Sequence, residues 1–346
     1  MGCAMPSTRA SAAGPGVADL LAIDTLSVGF QTENGIARVL DSVSFAMRPG
    51  EIMGLVGESG CGKTTLARAI LGVLPDSAVL GGGTMRFAEH DLLSAASAPL
   101  RGRDITFIPQ DPFGSFSPLF TIGDQMRELM RWKSPDRASG ERGYSNARRR
   151  SDAARILAAL RDVQLPDPAR LLRKYPHEVS GGQRQRIMVA MALLPEPRLV
   201  IADEPTTALD VTIQAQILKL LRRLATERGA SVLFTTHDLG TAWEICDRVT
   251  VMYAGQEAET APVAEFFARP RHPYTAMLLD SLPTQGAALR GIPGEVPSPF
   301  APPSGCRFHP RCPRASELCR ASHNEKAEPA AGHFVRCHHP NLWPAA

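Results

Sequence analysis

The chain has 346 residues, 44% of them hydrophobic, and its formal net charge at pH 7 is +3. This length holds one large domain with an appendage or two small domains, and the hydrophobic content excludes a globally disordered chain. The near-neutral charge lacks the basic footprint of a nucleic-acid-binding domain. No apolar run of ~20 residues occurs, so no segment is predicted to span a bilayer. We expect a cytoplasmic protein whose cysteines are free thiols or metal ligands.

The first part of the chain predicts a tail followed by a β-rich segment. Residues 1–18 are rich in Ala, Ser and Gly without the apolar core of a signal peptide, which predicts a disordered tail. Short alternating segments run from Leu20 to Ile52, with a hairpin-turn signal at Asn34-Gly35. They predict an N-terminal antiparallel β subdomain. Ile52 to Val56 predicts an apolar strand, and Thr64 to Leu74 predicts a helix.

The remainder of the chain predicts a parallel α/β core. Residues from about 111 to 179 lose the strand signal and show amphipathic helix patterns, which predicts a helical subdomain. Leu199 to Ala202 and Val232 to Thr235 predict buried strands separated by helices, as in β-α-β units. Beyond about Ala268 the composition shifts to Pro, His, Arg and Cys. We therefore expect a nucleotide-binding domain over 19–268 and an extension over 269–346.

A glycine-rich loop follows the strand that ends at Val56. Gly57 to Thr64 matches the pattern G-x-x-x-x-G-K-[ST], and the preceding strand and following helix argue against a chance glycine-rich turn. Successive backbone N–H groups in such a loop converge on phosphate oxygens, at the positive end of the helix. Lys63 is expected to reach the terminal phosphates and Thr64 to ligate Mg²⁺. The predicted nucleotide-binding residues here are Gly57, Glu58, Ser59, Gly60, Cys61, Gly62, Lys63, Thr64 and Thr65.

A second chemical signal is the pair of acids that ends the strand from Leu199. Asp203 and Glu204 lie where an apolar strand exits, and unpaired carboxylates are costly in such a place. Asp203 can hold a Mg²⁺ shell, and Glu204 can polarise an attacking water. Together with the phosphate loop, the acids predict a nucleoside triphosphatase.

A third signal is a second anion site. Ser180, Gly181, Gly182 and Gln183 precede a long helix and place backbone amides and a hydroxyl at its N-terminus. An ordinary helix-start turn is the alternative. The phosphate loop already provides the γ-phosphate site that one chain needs. We therefore expect this second anion site to face the ATP of another subunit.

The chain resembles the ATPases of ABC (ATP-binding cassette) transporters over nearly its whole ordered length. Gly57 to Thr64 is similar to the Walker A motif, Val179 to Gln183 to the signature motif, and Asp203-Glu204 to the end of Walker B. Val179 stands where Leu is commoner. The resemblance implies a RecA-like P-loop core that binds ATP and Mg²⁺ and closes as a head-to-tail dimer.

Further motifs of the same family assign more residues. Gln110 is similar to the Q-loop glutamine that touches Mg²⁺ and couples to a membrane partner, and His237 to the switch histidine at the γ-phosphate. Residues 208–210 match the D-loop. Phe30 is the candidate for stacking on adenine, with a strand core residue as the alternative. The resemblance implies that the catalytic residues are Glu204, His237, Gln110 and Lys63, and that the Mg²⁺ ligands are Thr64, Gln110 and Asp203.

A narrower resemblance points to the dipeptide and oligopeptide importers. It is carried by Tyr175 to Glu178, Ala202 to Gln216, His272 to Thr275 and Ile292 to Pro297. Met188 to Leu193 looks more like the D-type chain of the two ATPases in such systems. The resemblance implies a second, different ATPase chain, two permease subunits and an extracytoplasmic binding protein. It places the chain peripherally on the cytoplasmic face of the inner or plasma membrane. Nickel and glutathione importers share these features, so the substrate does not follow.

Four cysteines fall within a short Pro-rich segment near the end of the chain. Cys306, Cys312, Cys319 and Cys337 have the spacing C-x5-C-x6-C-x17-C. Segments too small to form a core of their own are commonly stabilised by a metal ion or by disulfides. Four thiolates suit zinc or an iron–sulfur cluster. Unligated thiols are the remaining alternative. The family resemblance implies a [4Fe–4S] cluster.

A rival from another class is a soluble ABC ATPase that acts on ribosomes or DNA. Soluble translation-type relatives generally carry two cassettes, and only one phosphate loop occurs here. DNA-repair relatives insert long coiled coils, and no sustained heptads appear. The sequence therefore favours the transport ATPase.

Overall fold

The computed structural model describes residues 18–111, 114–138, 140–206, 211–282 and 291–340. Residues 1–17 of the predicted tail and the D-loop residues 208–210 lie outside these ranges. Within the described part of the chain, no helix is both long enough and apolar enough to cross a membrane.

The chain forms two β-sheets and a set of helices that cover them. The strands are β1 (Leu21–Thr32), β2 (Gly35–Met47), β3 (Ile52–Val56), β4 (Ala78–Phe87), β5 (His90–Asp91), β6 (Ile105–Ile108), β7 (Leu199–Asp203), β8 (Ser231–Thr236), β9 (Arg248–Tyr253), β10 (Gln256–Pro262), β11 (Lys326–Ala330) and β12 (His333–Arg336). The helices are α1 (Lys63–Leu71), α2 (Ile122–Lys133), α3 (Asn146–Asp162), α4 (Pro168–Leu171), α5 (Gly181–Leu193), α6 (Val211–Arg228), α7 (Leu239–Ile245), α8 (Val263–Ala268), α9 (Pro273–Asp280) and α10 (Glu317–Ala321).

The predicted N-terminal β segment forms a four-stranded antiparallel sheet in the order β2-β1-β4-β5. Thr32 pairs with Gly35 across the turn at residues 33 and 34, which confirms the predicted hairpin. Two of the short predicted segments, residues 21–23 and 26–30, belong to one strand, β1. The break between them is a register shift after Ile23, next to Thr25, whose φ is +50°.

The larger sheet has eight strands in the order β11-β12-β10-β9-β3-β8-β7-β6. The five strands from β9 to β6 run parallel, so their carboxyl ends meet at one edge. Val56, Asp203 and Thr236, the last residues of β3, β7 and β8, therefore lie near one another along that edge. This edge carries the chemical residues that the sequence identified.

The core lies on both faces of the larger sheet. Along β3, the side chains of Met53 and Leu55 pack with the four-stranded sheet and α1, while those of Ile52 and Val56 pack with the helices on the other face. This is the alternation that the pleat of a strand imposes. Both sets of side chains are fully buried, so the strand reads as a continuous apolar run.

Helix α1 is shorter than the sequence predicted. The predicted helix ran to Leu74, but α1 ends at Leu71 because Gly72 adopts a left-handed conformation with φ +64°. The Gly72 N–H donates to the carbonyl of Ala69 and closes the helix end. The helices predicted between 111 and 179 are α2, α3 and α4.

The C-terminal extension is attached to the main sheet by β-pairing. The β11–β12 hairpin adds to the sheet edge through β12, which pairs antiparallel with β10. Cys306, Phe308 and Cys319 belong to the same apolar core as the parallel strands. The extension therefore shares the core of the main sheet, although its sequence predicted no strands. The domain boundary near 268 stays a prediction.

Candidate functional site

The phosphate loop links β3 to α1 and needs glycine at two positions. Gly57 has φ +150°, and a Cβ there would lie 2.3 Å from the Met252 carbonyl oxygen. Gly62 has φ +108°, and a Cβ there would lie 2.7 Å from the Leu40 side chain. No other residue type fits either position without moving neighbouring groups. The loop geometry is therefore fixed by the chain packed behind it.

Lys63 begins α1 and its ammonium folds back over the loop. Its Nζ donates to the carbonyl oxygens of Gly57 at 2.7 Å and Glu58 at 3.2 Å, and lies 3.6 Å from the Cys61 sulfur. Burial raises the pKa of the Cys61 thiol, although the positive charge of Lys63 opposes this effect. Thr64, the second residue of α1, is exposed. The loop thus combines a lysine cation with the N-terminus of a helix, and both attract anions.

The acidic strand end gathers the other predicted catalytic residues. The Glu204 carboxylate accepts a hydrogen bond from Gln110 Nε2 at 2.9 Å, and its other oxygen lies 3.2 Å from His237 Nδ1. The side chain of His237 is 59% exposed, so a ligand can reach it. Three residues that are far apart in the sequence converge on one carboxylate. This is the arrangement expected of a group that positions a water molecule at a terminal phosphate.

Backbone strain accompanies this convergence. Glu204 has φ +46°, which is a left-handed conformation for a residue with a Cβ. The Glu204 N–H donates to the Thr235 carbonyl at 3.1 Å, and the Thr235 hydroxyl donates to the buried Asp203 carboxylate. Strained residues of this kind collect at functional sites, where the surrounding contacts hold them in place.

Thr235 is a residue whose role the sequence reasoning missed. It lies on β8 directly beside Asp203 in the parallel register and contacts both acids of the β7 end. The signal was present as the hydroxyl residue two positions before His237. A hydroxyl that orients a buried carboxylate is a common supporting contact in active sites.

The predicted signature residues begin α5. Ser180 is the N-cap, and its hydroxyl accepts from the Gln183 N–H at 3.2 Å, while Gln183 Oε1 accepts from the Ser180 N–H at 3.1 Å. This is a capping box. Gln185, two residues after Gln183, donates to the Pro205 carbonyl at 2.6 Å and ties α5 to the segment that follows Glu204. The structure thus connects the signature helix to the acidic strand end.

Gly182 has a feature that the fold itself does not explain. A Cβ at this position would meet nothing within 4 Å. The chain therefore imposes no steric requirement for glycine there.

Phe30, the adenine candidate, is half-buried on β1 and packs against the core between the two sheets. Its position is compatible with both of the roles that the sequence left open.

Two of the four C-terminal cysteines are joined by a backbone hydrogen bond. Cys306 and Cys319 are buried, and the Cys306 N–H donates to the Cys319 carbonyl at 2.8 Å. Burial and the charges of the other three thiolates raise the pKa of Cys337 to about 12. In the described residues, no three Cys, His, Asp or Glu side chains are close enough to hold one metal ion. The predicted metal site in the extension is therefore not confirmed.

Comparison with known proteins places these features in a family. Residues 40–207 match the family model described as ABC transporter, and residues 258–319 match the one described as oligopeptide/dipeptide transporter, C-terminal region. The chain is 44% identical to a probable peptide ABC transporter ATP-binding protein of Sinorhizobium fredii, over 93% of this chain and 95% of that protein. The chain belongs to the ABC transporter ATP-binding family. This ABC ATPase is also similar to the dipeptide transport ATP-binding protein of Bacillus subtilis. The two are 41% identical over 92% of this chain and 94% of that protein. The oligopeptide transport ATP-binding protein of Salmonella typhimurium is 41% identical, with 87% and 88% covered.

Solved ABC cassettes share the fold of this ABC ATPase. A dimeric cassette in a post-hydrolysis state, bound to ADP and Pi, has a TM-score of 0.60 and 25% identity. The match covers 70% of this chain and 98% of that one. The chain is accordingly an ATP-binding and ATP-hydrolysing subunit, which confirms the family and the activity that the motifs predicted.

Proposed function

We propose that this ABC ATPase drives the import of di- or oligopeptides through a membrane permease. The observation that carries the catalytic part is the convergence of Gln110 and His237 on the Glu204 carboxylate. The peptide part is supported by the match of residues 258–319 to the oligopeptide/dipeptide transporter C-terminal region and by the names of the relatives. The alternative of a soluble ATPase on ribosomes or DNA lacks such support.

In this proposal each residue at the sheet edge has one task. Lys63 and the amides of the phosphate loop bind the β- and γ-phosphates. Glu204 accepts a hydrogen bond from the attacking water and withdraws its proton, and His237 contacts the γ-phosphate. Gln110 and His237 hold the Glu204 carboxylate in position through their present contacts. The tasks follow the family pattern and the geometry of these side chains.

The residues near the phosphate loop also fit a magnesium ion. Thr64, Asp203 and Gln110 offer a hydroxyl, a carboxylate and an amide oxygen, which are the hard oxygen ligands that Mg²⁺ prefers. The exposed position of Thr64 and the hydrogen bond from Thr235 to the Asp203 carboxylate support this assignment. The ion supplies charge neutralisation at the phosphates when it is bound with ATP.

We infer that the active unit is a head-to-tail pair, with each ATP between one phosphate loop and the partner's signature motif. The Ser180 hydroxyl accepts from its own helix cap and still has a proton to donate to an anion. The open space around Gly182 is supporting evidence, because no atom of this chain blocks the start of α5 from a docking phosphate. Phe30 is the proposed adenine contact, since its side chain is only partly buried.

The partners proposed from the family are a second, different ATPase chain, two permease subunits and an extracytoplasmic binding protein. Leu119 and Phe120, which follow the Gln110 loop and precede α2, are 78% and 56% exposed. Neighbouring exposed apolar side chains support a docking surface for a permease near the Q-loop. The chain would then lie peripherally on the cytoplasmic face of the inner or plasma membrane.

The four-cysteine site is proposed to hold a [4Fe–4S] cluster, with zinc as the alternative. Four thiols within one short segment suit either group, and the family resemblance favours the cluster. The backbone hydrogen bond from Cys306 to Cys319 supports the proposal, because it brings two of the four residues together. Cys306, Cys312, Cys319 and Cys337 would supply the thiolates.

Peptide uptake tests the transport proposal. A strain that lacks this chain should fail to accumulate a labelled dipeptide or oligopeptide, and the wild-type chain should restore uptake. The Glu204→Gln chain is the matched control, because it is expected to fold and bind ATP without driving transport. Uptake that is unchanged in the deletion strain for every peptide length tested would reject peptides as the cargo.

A further inference from the structure

Glu58, the second residue of the phosphate loop, is held by two residues from the C-terminal part of the chain. Its backbone N–H donates to the Tyr274 hydroxyl at 3.1 Å. Its carboxylate accepts two hydrogen bonds from the Arg311 guanidinium, at 2.8 Å from Nη1 and 3.2 Å from Nη2. A two-point guanidinium–carboxylate pair fixes orientation as well as distance. Both the backbone and the side chain of Glu58 are therefore anchored from outside the loop.

Tyr274 is itself rigidly placed. It is fully buried near the start of α9, and its N–H donates to His272 Nδ1 at 3.0 Å. Its ring packs against those of Tyr253 and Phe308, with centroid separations of 4.6 and 5.3 Å. Burial holds the pKa of Tyr274 far above its usual value, so the hydroxyl remains protonated. The Tyr274 hydroxyl is thus a fixed partner for the Glu58 N–H.

Arg311 is held by the segment that precedes it. Its Nε donates to the Pro293 carbonyl at 2.8 Å and its Nη2 to the Ile292 carbonyl at 3.1 Å. Gly294 turns the segment with φ +77°, and a Cβ there would lie 3.2 Å from Arg311 Cγ. The Arg311 side chain is only 3% exposed. Its guanidinium is therefore preorganised to receive Glu58.

The two motifs 272–275 and 292–297 thus meet at one residue of the phosphate loop, one through Tyr274 and the other through Arg311. We propose that the C-terminal extension is a clamp that holds the phosphate loop in its ATP-binding conformation. Tyr274 and Arg311 are its positioning residues, and Glu58 is the residue that they hold. We name these three residues the Glu58 clamp.

The clamp is connected to the predicted phosphate-binding lysine through one hydrogen bond. The Glu58 carbonyl accepts a hydrogen bond from Lys63 Nζ at 3.2 Å. A displaced Glu58 therefore changes the position of the lysine side chain that is expected to reach the phosphates. When only a fraction of the molecules has the competent loop, the apparent affinity for ATP falls by that fraction. Arg311 directly precedes Cys312, so whatever orders the cysteine segment also orders the clamp. ATP binding by the clamped loop does not depend on the cargo.

The test measures ATP binding by the full-length chain and steady-state turnover of the assembled transporter. Arg311→Gln should raise the Kd and KM for ATP roughly tenfold, because it removes a charge-assisted pair. Tyr274→Phe, which removes a single hydroxyl, should raise them about threefold. The kcat at saturating ATP should stay within about twofold, since Gln110, Glu204 and His237 are untouched. A merely structural role would not divide the effect between KM and kcat in this way.

Lys326→Met is the matched control for weakened docking of the extension. Lys326 ties β11 to the Ser44 carbonyl and to Glu257, which are outside the phosphate loop. This variant should lower the unfolding temperature without changing the Kd for ATP. A double variant, Glu58→Gln with Arg311→Gln, should bind ATP no more weakly than Arg311→Gln alone, because both changes break the same contact.

Several outcomes would overturn the clamp. They are an unchanged Kd in Arg311→Gln, an equal rise in Lys326→Met, or weaker ATP binding by the double variant than by Arg311→Gln alone. If Arg311→Gln does not fold, Arg311→Lys keeps the charge without the two-point fork and should raise the Kd about threefold. An unchanged Kd in that variant would also reject the proposal. Failure of peptide uptake would affect the transport proposal and leave these ATP measurements standing.

Discussion

Replacing Glu204 by Gln changes the chemistry of the site with little change in its shape. The carboxylate accepts from Gln110 Nε2 at 2.9 Å and lies 3.2 Å from His237 Nδ1. A glutamine carbonyl can keep one of these contacts, but an amide does not accept a proton from water. Loss of a positioned base is expected to reduce turnover by at least ~10²-fold, which corresponds to ~2.7 kcal/mol in activation free energy.

The assay is phosphate release from ATP by the chain reconstituted with its permease partners. The Kd for ATP should stay within about twofold, because Glu204 is not among the groups that bind the phosphates. Glu196→Gln makes the same chemical change in a surface carboxylate that pairs with Arg155, and it should leave turnover unchanged. Wild-type turnover in Glu204→Gln would refute the assignment of Glu204 as the base.

Two further predictions concern the extension and its junction with the sheet. Anaerobically purified protein should be brown with ~4 iron per chain. Cys319→Ser should lose the iron, and the control Cys246→Ser should keep it. Full iron in Cys319→Ser, or a colourless protein with one zinc per chain, would contradict the cluster. Burial lowers the pKa of His272 to about 4, so on acidification the unfolded chain takes up a proton before the folded chain does. Unfolding free energy from denaturant titrations should therefore fall by about 2 kcal/mol between pH 8 and pH 5, relative to His272→Asn, which keeps an acceptor for Tyr274; equal losses in both would contradict this.

Local motifs made much of the site predictable from the sequence. The phosphate loop is a contiguous pattern whose glycines are required by packing, as Gly57 and Gly62 show. The strand Ile52–Val56 was predicted with its observed bounds, because an uninterrupted apolar run before a glycine-rich loop has few other solutions. The parallel strands that place Asp203 beside Thr235 follow from the same kind of signal.

Long-range pairing explains what the sequence did not reveal. In the Glu58 clamp, Tyr274 is 216 residues and Arg311 is 253 residues away from Glu58 in the sequence. No local sequence pattern at these residues predicts that they pair. The β11–β12 hairpin is half-exposed, with Glu and Pro in β11, so its strand signal is weak until β10 provides a pairing edge. The early end of α1 depended on the backbone conformation of one glycine, Gly72.

The central claim is that ATP is shared between the phosphate loop of one ATPase subunit and the signature motif of the next. The most direct measurement is the ATP-dependent association of two ATPase subunits in the Glu204→Gln background, with and without Gly181→Asp. An added carboxylate at the N-terminus of α5 would repel the γ-phosphate of the partner's ATP. The account predicts that Gly181→Asp abolishes association while the isolated chain keeps its Kd for ATP. Undiminished association, or a collapse of ATP affinity in the isolated chain, would contradict it.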